Sequence, residues 1–112
     1  MPKPLSRAYS HYSEDALLAL SQLIRRARIE RKLTSQDLAD RAGISRGLLQ
    51  RIEKGDPGCA IGVVFEVAAI LGLRLFDADP AALATSVSTN KAILALLPKS
   101  VRQSSKQVKD DF

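Results

Sequence analysis

Thr34-Ser35-Gln36-Asp37-Leu38-Ala39-Asp40-Arg41-Ala42-Gly43-Ile44-Ser45-Arg46-Gly47-Leu48-Leu49-Gln50-Arg51-Ile52-Glu53-Lys54-Gly55 spells two short helices separated by a glycine turn and closed by a second glycine. Thr34 followed three residues later by Asp37 has the form of a capping box, so a helix is predicted to start near Ser35. Leu38 and Ala42 share one face of it, and Ala39 offers a small surface for close helix crossing. Gly43 falls where a left-handed cap is needed, Ile44 can plug the core beside the turn, and Ser45 suits the N-cap of a second helix. That helix runs to about Lys54, where Gly55 stops it. Two capped helices joined this tightly must cross at a steep angle, which is the layout that sets a second helix into a DNA major groove.

On the second helix, Leu49 and Ile52 share a face with Ile44 and are expected to point inward, leaving Arg46, Gly47, Gln50 and Arg51 outward. Arginine can bond bidentately to guanine and glutamine to adenine, while a glycine lets the backbone lie close to the duplex. These four are the candidates for base contact. A solvated polar face is the alternative for such residues alone; the turn and the two caps favour DNA. Arg26, Thr34, Ser35, Gln36, Ser45 and Lys54 are the candidates for phosphate contact.

The charge distribution agrees. Residues 25–54 carry nine basic and four acidic side chains, whereas the rest of the chain carries eight of each, so the whole formal net charge of +5 lies in and just before the two helices. A phosphate-facing surface has this character, and its binding weakens with salt. The basic run from Arg25 to Lys32 also suits the C-terminal end of a helix dipole, so part of it has a structural cause.

At 112 residues, 46% of them hydrophobic, the chain can build one small domain with a modest core, which dimerisation would reinforce. One cysteine, Cys59, rules out an internal disulfide and fits a reducing compartment, where it is expected to be a small structural residue. No apolar run reaches membrane-spanning length and the first residues lack a signal-peptide core, so a cytoplasmic protein without a membrane partner is expected. A single histidine, His11, and a single cysteine cannot close a zinc site, and neither a phosphate-binding glycine loop nor a catalytic constellation is present. No enzyme activity, metal or cofactor is expected.

Residues 1–12 read as a flexible arm, and residues 13–84 as the DNA-binding and dimerisation domain. Ser13 can cap a first helix, with Leu17, Leu20, Ile24 and Ala27 on its apolar side. After the turn at Asp56-Pro57-Gly58, residues 61–71 read as a mostly buried helix ended by Gly72; Val63, Val64 and Val67 leave a strand open, but the length favours helix. Leu73-Arg74-Leu75-Phe76 alternates like a short strand near 73–77, and Asp79-Pro80 resembles the start of a brief helical turn. A lone strand in a helical domain lacks a partner in its own chain, so its simplest partner is the same strand of a second subunit. Residues 85–112 are expected to be a C-terminal helix over 88–97, stopped by Pro98, and a disordered tail. Ile93, Leu96, Leu97 and the terminal Phe112 are its candidate docking residues, for a second subunit or another protein; packing back on the same domain is equally open.

Residues 17–73 resemble the lambda-repressor-like, Xre-type helix-turn-helix domain, through Leu33-Thr34, Leu38-Ala39, Ala42-Gly43-Ile44-Ser45, Leu49, Ile52-Glu53 and Ile70-Leu71-Gly72-Leu73. The resemblance implies an all-α bundle of about five helices that binds operator DNA as a homodimer. Two positions depart from it: the family often has glutamine where Ser35 stands, one place before Gln36, and Gly47 lacks a side chain that many relatives use on bases. Within the family, Tyr9-Ser10 and Leu71-Gly72-Leu73-Arg74-Leu75-Phe76-Asp77-Ala78 resemble the HipB-type antitoxins. That resemblance implies a strand at Leu73, Arg74, Leu75 and Phe76 pairing across the dimer, and a HipA-like kinase toxin as partner. The function it implies is an antitoxin that represses its own operon and neutralises the toxin by binding; a freestanding repressor, or mainly a protein-interaction module, are the other readings.

Overall fold

The computed structural model describes residues 8–101. Within them lie five helices and one 3₁₀ turn: α1 (His11–Glu30), α2 (Ser35–Ala42), α3 (Arg46–Glu53), α4 (Ile61–Ile70), the turn at Leu75–Asp77, and α5 (Pro80–Leu96). The chain divides after Asp77, leaving α1 to α4 and the 3₁₀ turn in one compact unit and α5 in another. Phe112 and residues 1–7 of the expected arm lie outside the described residues.

Helix α1 begins three residues before the position expected from a cap at Ser13. Ser10 caps it instead, its hydroxyl accepting from the Ser13 N–H at 3.2 Å. His11 and Tyr12 are therefore helical rather than part of an arm. Helix α2 starts at the capping box: Thr34 Oγ1 accepts from the Asp37 N–H at 3.0 Å, and Asp37 Oδ2 accepts from the Thr34 N–H at 3.1 Å. The bond from the Thr34 N–H first, with the Thr34 hydroxyl after it, holds the Asp37 carboxyl below the usual aspartate range. Gly43 ends α2 at φ 68, a left-handed conformation that an L side chain adopts only at a cost of about 1 kcal/mol or more. Its N–H and that of Ile44 return to the carbonyls of Asp40 and Ala39, at 3.2 and 3.0 Å. Ser45 Oγ then caps α3 by accepting from the Leu48 N–H at 3.0 Å. Three residues thus join the two helices, and each has a separate structural task.

The core of the first unit draws on every helix in it. Ile24 and Ala27 from α1, Leu38 and Ala39 from α2, Leu49 and Ile52 from α3, Val67 and Ala68 from α4, and Leu71 just beyond α4 are all buried. Each large aliphatic side chain buried in this way contributes about 1.5 to 3 kcal/mol. Ala39, with only a methyl group, is fully buried in this cluster. The valines of 61–71 are accommodated in a helix that offers Val67 and Ala68 to the core.

The expected strand is absent among the described residues. Leu75–Asp77 is a 3₁₀ turn with Phe76 and Asp77 at φ 56 and 53, so the backbone cannot continue extended past Leu75. The alternation still sorts the side chains: Leu73 and Leu75 pack against the core, while Arg74 and Phe76 are exposed. Phe76 meets Phe65 edge-on, with ring centroids 6.1 Å apart. Two of the four proposed dimer residues are therefore occupied by their own core.

Helix α5 is longer than the expected segment 88–97 and runs unbroken across the boundary expected between 84 and 85. Asp79 Oδ1 accepts from the Ala82 N–H at 2.8 Å and Pro80 takes the first helical position, so one helix starts there rather than a brief turn. Thr85, Ser86, Ser88, Thr89 and Asn90 are indifferent helix formers, but neither glycine nor proline interrupts them. Val87, Ile93, Leu94, Leu96 and Leu97 are exposed along it.

Candidate nucleic-acid interface

Helix α3 is amphipathic in the way its sequence requires. Leu49 and Ile52 are buried, whereas Arg46, Gly47, Gln50 and Arg51 are all exposed. The outward side of α3 therefore presents two guanidinium groups, one carboxamide and a stretch of bare backbone. These are the hydrogen-bonding groups and the close approach that base edges in a major groove require.

Beside α3 lies a cleft of about 300 Å³ lined by Arg25, Arg28, Ser35, Gln50, Glu53 and Lys54. It brings together the end of α1, the start of α2 and the second half of α3. Ser35, Gln50 and Lys54 are among the sequence-derived candidates; Arg25 is not. Within the basic run from Arg25 to Lys32 the sequence singled out Arg26, one place away, because a run longer than a full turn of helix does not say which arginine faces the cleft.

The arginines of that run have different surroundings. Arg28 reaches across to α3, where Nε donates to Glu53 Oε2 at 2.7 Å and Nη2 donates to Glu53 Oε1 at 3.0 Å. Its Nη1 donates to the Leu33 carbonyl at 3.0 Å. The two side chains are 13% and 9% exposed, so this is a largely buried, bidentate pair tying α1 to α3. The hydrogen bond to Glu53 pushes the guanidinium pKa up against the opposing effect of burial. Arg26 is exposed and pairs with Glu30 on its own helix at 3.1 Å, a bond that a phosphate can exchange in solvent. Arg31 donates to the Ala27 carbonyl at 3.4 Å.

Several phosphate candidates already have local partners. The hydroxyls of Thr34 and Ser45 accept the cap bonds of α2 and α3, Ser35 is half-buried in the cleft wall, and Gln36 donates to Asp40 at 2.8 Å. Lys54 is exposed at the end of α3. The cap bond uses Ser45 Oγ as an acceptor, so holding the end of α3 and donating its O–H to a phosphate are compatible.

Arg51 has a partner that sequence reading missed. Its Nε donates to Asp56 Oδ2 at 2.8 Å, and Asp56 Oδ1 accepts the Gly58 N–H at the same distance. The bond from Arg51 first, then the one from Gly58, holds the Asp56 carboxyl below the usual aspartate range. Burial pushes the nearby Cys59 thiol up, against the opposing effect of Arg51, so the cysteine is not primed as a thiolate. Among the described residues no group of three or more His, Cys, Asp or Glu side chains gathers as a metal site would need, and no helix is long and apolar enough to cross a membrane.

No curated protein and no solved structure matches the chain. Residues 24–77, from the middle of α1 to the 3₁₀ turn, match a protein-family model described as helix-turn-helix.

Proposed function

We propose that the protein is a sequence-specific DNA-binding regulator in which Arg46, Gly47, Gln50 and Arg51 read base edges. The observation that carries this reading is the division of α3, with its apolar side buried and all four of these residues exposed. Arg25 and Lys54, which share the cleft beside α3, and the exposed Arg26 supply positive charge for phosphates. A two-fold dimer would present two such helices about 34 Å apart, one turn of the duplex, to a near-palindromic operator.

Arg46→Ala and Arg51→Ala are each expected to weaken operator binding by about 1 to 3 kcal/mol and to relax base preference, whereas Arg26→Ala should weaken binding to all sequences alike. Titration of specific and random duplexes at one salt concentration separates the two effects. Equal losses on both duplexes for Arg46 and Arg51 would remove them as readers.

The finer part of the proposal is that the regulator is an antitoxin, repressing its own operon as a homodimer and neutralising a HipA-like kinase toxin by binding. With no strand at 73–77, support for this comes from the HipB-type resemblance of the residues around it and from the exposed Ile93, Leu96 and Leu97 of α5. A chain lacking residues 86–112 is expected to keep operator binding and lose the toxin. Co-purification with the neighbouring gene product measures this. Retention of a kinase-like partner by the shortened chain would refute the assignment of toxin binding to the C-terminal segment, and a neighbour unrelated to kinases would leave a freestanding repressor.

A further inference from the structure

Asp56 stands outside α3 and outside every group of residues assigned to DNA so far, yet it grips the last of the proposed readers. Its two oxygens have separate tasks: Oδ1 accepts the Gly58 N–H and Oδ2 accepts from Arg51 Nε, both at 2.8 Å. The carboxylate is thereby anchored to its own turn before it touches the arginine. An exposed arginine on a helix ordinarily samples many rotamers, and ordering it on binding carries an entropic cost. Here Nε is held at a fixed place, which fixes the plane of the guanidinium and leaves the two terminal nitrogens, the pair suited to guanine O6 and N7, for the duplex. Gly58 belongs to the same arrangement. A Cβ there would lie 3.2 Å from Asp56 Oδ1, a tight approach, so the glycine leaves the oxygen that accepts its N–H undisturbed.

We propose that Asp56 is a positioning residue for sequence recognition: anchored by the Gly58 N–H, it presets the Arg51 guanidinium for end-on contact with a guanine. The proposal rests on the reading of Arg51 as a base contact. It separates Asp56 from an ordinary surface acid, whose removal from a DNA-binding face strengthens binding to all sequences by reducing repulsion.

The test uses the full chain and a pool of duplexes selected from random sequence by the unsubstituted protein, with preference scored at every base pair. Asp56→Asn is the informative variant. An asparagine carbonyl still accepts the Gly58 N–H and keeps the turn, but its amide faces Arg51 Nε with a donor instead of an acceptor. Expected are a loss of about tenfold in preference at one base pair, the same one that Arg51→Ala affects, and undiminished affinity for random duplex, which shows that the fold survives. In an Arg51→Lys background, which keeps the charge but lacks Nε, Asp56→Asn should cause no further loss of preference. If Arg51→Ala alters preference at a base pair and Asp56→Asn leaves that base pair untouched, the positioning role is overturned while Arg51 remains a reader. If Arg51→Ala alters preference nowhere, the reading of Arg51 fails, and the role of Asp56 fails with it.

Discussion

Glu53→Ala is expected to destabilise the helix-turn-helix unit by about 3 kcal/mol, far more than any exposed ion pair in the protein would. The Arg28 and Glu53 side chains are 13% and 9% exposed, and they meet through two hydrogen bonds of 2.7 and 3.0 Å. Removing the carboxylate leaves Arg28 with only the Leu33 carbonyl, its side chain 13% exposed in the cleft wall. The loss therefore reflects a stranded charge more than a missing attraction. For the same reason the double replacement Arg28→Met with Glu53→Leu should recover stability to within about 1 kcal/mol of the original chain. Urea denaturation of the single and double variants checks both expectations. A single variant that loses under about 0.5 kcal/mol would show that solvent reaches the pair freely.

Leu49→Ala is expected to cost about 3 to 5 kcal/mol, the upper range for a leucine deleted from a close-packed interior. Leu49 is fully buried on the inner side of α3, in the cluster that includes Ile24, Leu38, Val67 and Leu71. A small domain has a total stability of only about 5 to 15 kcal/mol, so a large part of the population would unfold on warming. DNA binding should fall in parallel with the folded fraction and alike on all sequences, unlike the effect of changing Arg46 or Arg51. Leu49→Met, which nearly conserves volume, should cost less than about 1.5 kcal/mol and leave the base preference intact. Thermal denaturation followed by circular dichroism, with duplex titration well below the midpoint, distinguishes a loss of scaffold from a loss of contact.

Caps and glycines were legible in the sequence because their chemistry is local. Thr34 with Asp37, Gly43, Ser45, Gly55 and Gly72 act within four residues, and each is found at the helix end its type suggests. The division of α3 into buried and exposed sides was legible for the same reason, since a single helical period sets it. The pairing of Arg28 with Glu53 joins positions 25 residues apart, and only the packed structure brings them together. In the sequence both looked like contributors to the charged face. Arg51 and Asp56 are nearer neighbours, but Asp56 lies past the end of the helix, where no periodicity says which way a carboxylate points. The segment after Gly72 misled because alternation of Leu73, Arg74, Leu75 and Phe76 reports which side chains face inward, and a 3₁₀ turn can satisfy it as well as a strand. In α5 the run of serine, threonine and asparagine hid a continuous helix, which the Asp79 cap starts and no breaker ends before Leu96.

The three residues between α2 and α3 have a consequence for how recognition can change. Gly43 reverses the chain, Ile44 fills the space beside the core and Ser45 starts the next helix, so the direction of α3 is set without help from any residue on its outer side. Orientation and vocabulary are therefore written in separate letters. If Arg46, Gly47, Gln50 and Arg51 read bases as proposed, exchanges there alter what is presented to a groove while the angle of presentation stays fixed, and a lineage built on this turn can acquire a new target without first acquiring a new fold.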